Sequence, residues 1–335
     1  MKKKISLLLL VILVAVSVGI FSFLNNPSTP KNIVEARNIQ THPSTQIQSQ
    51  VPINTPLVSA DKLFAHIKKL NFTRYTPGDR SRARNYISNY ISSTLNKENK
   101  AGSWEVKLEE FPDGVNIIAL RPGTDKKAGT ILVGAHYDSV MVSPGADDNA
   151  SGVAVTLEIA RLLGSRPTPK TLEVVLFDKE ETGLKGSIAF TTNPDNIKDL
   201  KGAIIMDMVG FACHTPGCQR FPQGLPIRPP TDKGDFLAVI GDTEHPDLIN
   251  AFSNSQNLPP ILKLPIPGKG LLTPDLLRSD HAPFWYQNIG AVLVSDTANF
   301  RTPYYHQASD TPSTIDRKFF TGSAQLIINA VNSLL

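Results

Sequence analysis

The chain has 335 residues, 41% of them hydrophobic, and a formal net charge of +4. Its length allows one large domain or two ordinary ones. Three of the positive charges are Lys2, Lys3 and Lys4, so the remainder is close to neutral. No basic stripe interleaved with aromatic residues appears, which excludes nucleic acid as a partner.

After MKKK, residues 5–24 (ISLLLLVILVAVSVGIFSFL) are an apolar run. A basic start followed by such a run is an export signal, and its length is near the ~20 residues that span a bilayer. Residues 1–24 are therefore read as a signal or membrane anchor. Either the segment stays as an N-terminal helix in the membrane, or it is cleaved after Ser17, where Ala15 and Ser17 are small residues at suitable offsets. No cysteine lies nearby for lipid attachment. On both routes the rest of the chain is extracytoplasmic. Residues 25–56 are polar and rich in Pro, Ser, Thr, Asn and Gln, without a persistent period, and read as a flexible linker. Residues 57–335 carry the folded domain.

Helical spacing predicts a helix over residues 59–70, with Leu63, Ile67 and Leu70 on one face, and another over 81–96. WEVKLEEF alternates and VNIIAL is a short apolar run, so both read as strands. From residue 130 strands and helices alternate. TILVGAH, TLEVVLF, KGAIIMDM, DFLAVIG and GAVLVSD are strands. SGVAVTLEIARLLG is a helix apolar nearly all round, hence buried. Further helices are expected over 246–256 and 316–335, and the Pro-rich stretches at 221–230 and 259–274 read as loops. The pattern predicts an α/β fold: a mostly parallel sheet with helices on both faces. The two cysteines, in CHTPGC, are expected to form a Cys213–Cys218 disulfide in an oxidising compartment, although a metal site with His214 also suits the spacing.

In open α/β sheets, sites form at the carboxyl ends of the strands. TILVGAH ends at His136, with Asp138 just beyond. TLEVVLF runs into Glu180 and Glu181, KGAIIMD ends at Asp207, and GAVLVSD leads into a loop carrying His306. GADDNASG, with Asp147, Asp148 and Asn149 between small residues, follows the first of these strands. Each alone is an ordinary turn, cap or surface loop. Together they place imidazoles and carboxylates at one edge, a donor set suited to zinc. A carboxylate between two cations is stabilised by both, which makes adjacent aspartates tolerable, and Asn149 or Ser151 suits the cap of the next helix.

The segments GAHYDS, GADDNASG, EETGLKGS, MDMVG, RSDHAPF and YYHQASDT, in this order over roughly residues 130–315, resemble the M28 family of zinc metallopeptidases, which holds bacterial aminopeptidases and is related to glutaminyl cyclases. The resemblance implies a mixed, mostly parallel sheet of about eight strands. It implies two zinc ions per chain: His136 and Asp207 on one, Glu181 and His306 on the other, Asp148 bridging them before a cis peptide bond. Glu180 would be the general base, and Asp138 would orient His136. Asp280 and His281 match a family motif without a role assigned to them. The implied activity is removal of N-terminal residues from peptides with free N-termini. The alternatives are a glutaminyl cyclase-type acyltransferase with one zinc and a non-enzymatic binding ectodomain.

Overall fold

The structure is a computed structural model and describes residues 55–98, 103–223, 225, 227 and 230–335. The expected signal or anchor, residues 1–24, and the expected linker as far as residue 54 lie outside the described residues. Among the described residues no helix is long and apolar enough to cross a membrane.

The strands are β1 (Glu105–Phe111), β2 (Gly114–Arg121), β3 (Thr130–His136), β4 (Thr171–Phe177), β5 (Leu200–Met206), β6 (Leu237–Asp242), β7 (Ile261–Ile266) and β8 (Ala291–Ser295). They form one eight-stranded sheet in the order β1-β2-β4-β3-β5-β8-β6-β7. The central strands β4, β3, β5 and β8 are parallel. β2 runs antiparallel to β4, and β6 antiparallel to β8. The carboxyl ends of the four central strands therefore share one edge, and those of β6 and β7 point the other way.

Unbroken apolar runs suit strands covered on both faces. Successive side chains alternate between two cores: Val174 and Leu176 of β4 enter one, Val175 and Phe177 the other. The first core lies under α1 (Ala60–Leu70), α2 (Pro77–Asn89), α3 (Ala150–Leu163), α5 (Pro246–Asn250) and α7 (Arg317–Leu334). The second lies under α4 (Lys185–Thr192) and α6 (Ala282–Tyr286). Caps set where helices start: Ser59 accepts from the Lys62 amide, Asn149 from Gly152 and Asp316 from Phe319. Along α3 Arg161 is the one residue not buried, because the helix lies between the sheet and its neighbouring helices.

The structure corrects three expectations. Residues 261–266, read as part of a Pro-rich loop, form β7, with Pro265 opposite Gly241. β7 is an edge strand, where a missing N–H need not interrupt the ladder. The helix expected over 81–96 starts at Pro77 behind the Thr76 cap and passes into a π-helical turn at Tyr90–Leu95. The helix expected over 246–256 ends at Asn250.

Candidate metal centre

The site is built at the shared carboxyl edge. His136 is the last residue of β3 and Asp207 follows β5. Glu180 and Glu181 lie in the turn after β4, and His306 lies in the loop after β8. Asp148 sits in the turn that opens α3. His136 and Asp148 are buried, whereas Glu180, Glu181, Asp207 and His306 keep partial access.

Asp148 stands between the two imidazoles. Its Oδ1 is 3.4 Å from His136 Nε2, and its Oδ2 is 3.3 Å from His306 Nε2. His136 Nε2 is also 3.6 Å from Asp207 and 4.0 Å from Glu180. His306 Nε2 is 3.0 Å from Glu181. Two donor clusters result: His136, Glu180 and Asp207, and Asp148, Glu181 and His306, with the donor atoms of each within 4.8 Å of one another. Glu180 is the most distant carboxylate on the His136 side, so Asp148 and Asp207 are the better-placed donors there.

Two observations fit a metal. Tetrahedral ligands at zinc bond lengths have neighbouring atoms about 3.3 Å apart, and the separations above scatter around that value. Moreover, His306 Nε2 and Glu181 Oε1 are buried without a hydrogen-bond partner, which is costly unless something else satisfies them. The electrostatics agree. Burial disfavours the His136 imidazolium, yet Glu180, Asp138, Asp148 and Asp207 hold its pKa well above the usual value. His306 is likewise raised, to about 10, against burial, by Asp148 and Glu181. Burial pushes Glu180 well up, and pushes Glu181 to about 7 with help from Asp148. Raised imidazole and glutamate pKa values both mark a pocket that favours positive charge.

The supporting residues explain the precision. Asp138 lies 3.4 Å from His136 Nδ1. Its carboxylate also accepts the amides of Glu180 (3.1 Å) and Glu181 (3.3 Å). It thus ties the β4 turn to the end of β3. Asn149 caps α3 and donates to the Met206 carbonyl beside Asp207. The peptide bond between Asp148 and Asn149 is cis. Gly145 has φ +58, and a Cβ there would come within 2.0 Å of the Asp148 carbonyl, so the loop needs glycine at that point.

Sequence reasoning missed two residues. Asp310 accepts the amides of Asp147 (2.9 Å) and Asp148 (3.0 Å), one on each oxygen. Arg74, fully buried, donates to carbonyls on both sides of the site, among them Tyr137 (2.7 Å) and Gly145 (2.9 Å). The only signal for Asp310 was its place within YYHQASDT; for Arg74 there was none. Asp147 is not a donor: its Oδ1 accepts the Gly210 amide, and its carboxyl is pushed up by burial and by Asp296. Asp280 accepts from Ser187 (2.5 Å) behind the cluster, and His281 donates to the Leu276 carbonyl (2.8 Å). Cys213 and Cys218 form a disulfide, which leaves no thiolate for a site with His214; that imidazole instead lies 3.1 Å from Asp316.

The cleft over the cluster runs along one face of β6, β7 and β8. Its floor is apolar, with Ile240, Leu262, Leu264 and Leu293, and Phe221, Leu276 and Phe300 form walls. The Pro-rich stretch before Asp280 thus contributes to the cleft.

A mixed, mostly parallel sheet flanked by helices, with two clusters of His and carboxylate donors at the carboxyl edge of its central strands, defines the class: an α/β protein with a candidate metal centre of the kind hydrolases use. The chain resembles peptidase family M28, whose model matches residues 116–232. The Escherichia coli K12 protein YfbL is 33% identical over 222 residues, covering 61% of this chain and 66% of YfbL. The Bacillus subtilis aminopeptidase YwaD is 41% identical over 111 residues, covering 31% of this chain and 24% of YwaD. The chain thus spans less than two thirds of the length of these relatives. Among solved structures, the Legionella pneumophila aminopeptidase LapA superimposes with a TM-score of 0.66 at 18% identity, over 83% of this chain and 72% of that one. A Porphyromonas gingivalis glutaminyl cyclase does so with a TM-score of 0.57 at 20% identity, over 83% and 99%. At these identities the likeness shows the fold alone.

Proposed function

We propose that the chain is a zinc-dependent aminopeptidase acting outside the cytoplasm on peptides with free N-termini. The observation that carries this reading is Asp148, whose two oxygens face different imidazoles, His136 and His306. One carboxylate so placed suits two zinc ions, with His136 and Asp207 completing one set and Glu181 and His306 the other. Zinc there would supply Lewis acidity and a water of lowered pKa.

The remaining chemistry belongs to the chain. Glu180 is the base: it takes the proton of the attacking water and returns it to the leaving amine. Asp138 holds the His136 ring and the Glu180 and Glu181 amides together, so base and ligands move as one unit. The carboxylates hold the substrate's α-ammonium, which restricts cleavage to the N-terminal residue. The apolar floor receives that residue's side chain. The disulfide supports export, with residues 1–24 as signal or anchor.

The fold is shared with a cyclase, so a one-zinc acyltransferase is the second reading. A cyclase's nucleophile is the substrate's own amine and needs no activated water; the Asp148, Glu181 and His306 set beside His136 and Asp207 favours hydrolysis. The test incubates the purified protein with a peptide, its acetylated twin and a peptide beginning with glutamine, while metal content is measured. Stepwise shortening of the free peptide alone, abolished by chelator, with two zinc ions per chain, is expected. Ammonia release from the glutamine peptide without shortening would establish the cyclase instead.

A further inference from the structure

The cleft carries both signs of charge. The donor carboxylates line it, and so do Arg220, Arg278 and Asp275. Both arginines are held on Asn299. Arg220 donates to its backbone carbonyl (2.6 Å), and Arg278 to its side-chain oxygen (3.2 Å). Arg278 also donates to the Tyr305 hydroxyl (3.2 Å). Neither guanidinium is neutralised at close range. Arg278 has Asp275 at 3.8 Å, both about half exposed, and the described contact of the Arg220 guanidinium is to the neutral Asn299 carbonyl. Two arginines fixed on one neutral residue, facing an open cleft, form a receptor for a carboxylate.

The distance to the donor clusters limits which carboxylate. Tyr305 stacks on His306 with ring centroids 3.8 Å apart. Through that ring, the Arg278 guanidinium lies within about 10 Å of the His306 imidazole, the reach of about three residues of extended chain. Building on the aminopeptidase reading, we propose that the substrates are di- and tripeptides whose C-terminal carboxylate is held by Arg278 and Arg220 while the ammonium sits among the donor carboxylates. Each end of such a zwitterion meets opposite charge, and a longer chain carries its carboxylate past the arginines.

The test compares the full-length protein, in low salt, on Leu-Ala, Leu-Ala-amide, Leu-Glu-amide and an uncharged leucine pentapeptide amide. Calorimetry runs alongside, with reduced-bond analogues of the first two, which resist hydrolysis. A partly exposed ion pair supports about a fivefold preference. Leu-Ala should therefore exceed its amide about fivefold in kcat/KM and in affinity. The ratio should fall toward one in Arg278→Gln and drop in Arg220→Gln, while Arg278→Lys keeps part of it. Equal acid and amide values in both measurements would overturn the proposal. So would Leu-Glu-amide matching Leu-Ala, since the arginines would then read an acidic side chain. If no peptide is cleaved, the aminopeptidase reading fails, yet calorimetry still decides the carboxylate site: an acid preference lost in Arg278→Gln upholds it, and its absence overturns it.

Discussion

Arg74 carries the sharpest test of how the site is assembled. Its side chain is 0% exposed. The guanidinium donates to the carbonyls of Leu70 (2.6 Å) and Phe72 (3.2 Å) at the end of α1, and of Tyr137 (2.7 Å) just after β3. It also reaches Pro144 (2.5 Å), Gly145 (2.9 Å) and Asp148 (3.4 Å) in the loop before α3. Burial works against its charge, and Asp148, Asp138, Asp310 and Glu181 support it. Hydrogen bonds to a charged group are worth about 1.5–3 kcal/mol each, but six at that rate would rival the whole stability of a domain, about 5–15 kcal/mol. The better guide is the loss of one partner from a buried charged network, about 3–5 kcal/mol. Arg74→Met should therefore cost about 4 kcal/mol. At a urea slope of about 3 kcal/mol/M the midpoint falls by roughly 1.3 M. Arg74→Lys keeps the charge but replaces a planar fork with a single ammonium, so it should recover less than half of the loss. The assay is urea unfolding followed by circular dichroism, with zinc content measured on the folded protein. A midpoint for Arg74→Met within about 0.3 M of the wild type would refute the claim that this residue holds the loop.

Two further outcomes are expected. Glu180→Gln should retain full zinc content and lose about 10²–10⁴-fold in turnover; near-normal turnover with full metal would remove Glu180 from the base role, and loss of one zinc would make it a ligand. Glu173, buried on β4, is pushed from 4.5 to about 8 by burial, with a contribution from Glu109. The folded state then keeps a proton that the unfolded state loses, so stability is full below the unfolded value and declines as pH rises toward the folded one. Glu173→Gln should flatten that decline and raise stability at pH above about 8 by at most roughly 5 kcal/mol. Unfolding at acid and alkaline pH reads it, and a variant no more stable than wild type in alkali contradicts it.

The fold was legible where periodicity was strong. The central strands are unbroken apolar runs, and α3 is apolar all round because it is covered on all sides. What escaped was decided by tertiary position. β7 was hidden by Pro265, whose cost depends on lying at the sheet edge rather than on local sequence. α4 and α6 are short, and their amphipathic signal does not build up over so few turns. That His136, Glu180, Glu181, Asp207 and His306 meet at one edge was legible because each lies at or after the end of a recognisable strand. Arg74 was not, since its partners are backbone carbonyls, and carbonyls leave no trace in a pattern of side chains. Asp310 has the same difficulty, as it binds two amides.

Those two residues bear on why the donor set has two halves. The same fold serves a cyclase and an aminopeptidase, so the scaffold does not choose the chemistry. A single metal would be held with one oxygen of Asp148, which leaves the carboxylate free to rotate. A site with both oxygens facing different imidazoles does not. The turn at 145–149 is held from three directions. Arg74 grips its carbonyls from the end of α1. Asp310 grips its amides from the loop that also carries His306. Asn149 ties it to β5, next to Asp207. Two of these restraints come from segments bearing metal-site residues on opposite sides of Asp148. Displacing either side therefore shifts Asp148 along with its partner. On the two-zinc reading proposed above, such coupling would keep the two donor sets at a fixed separation.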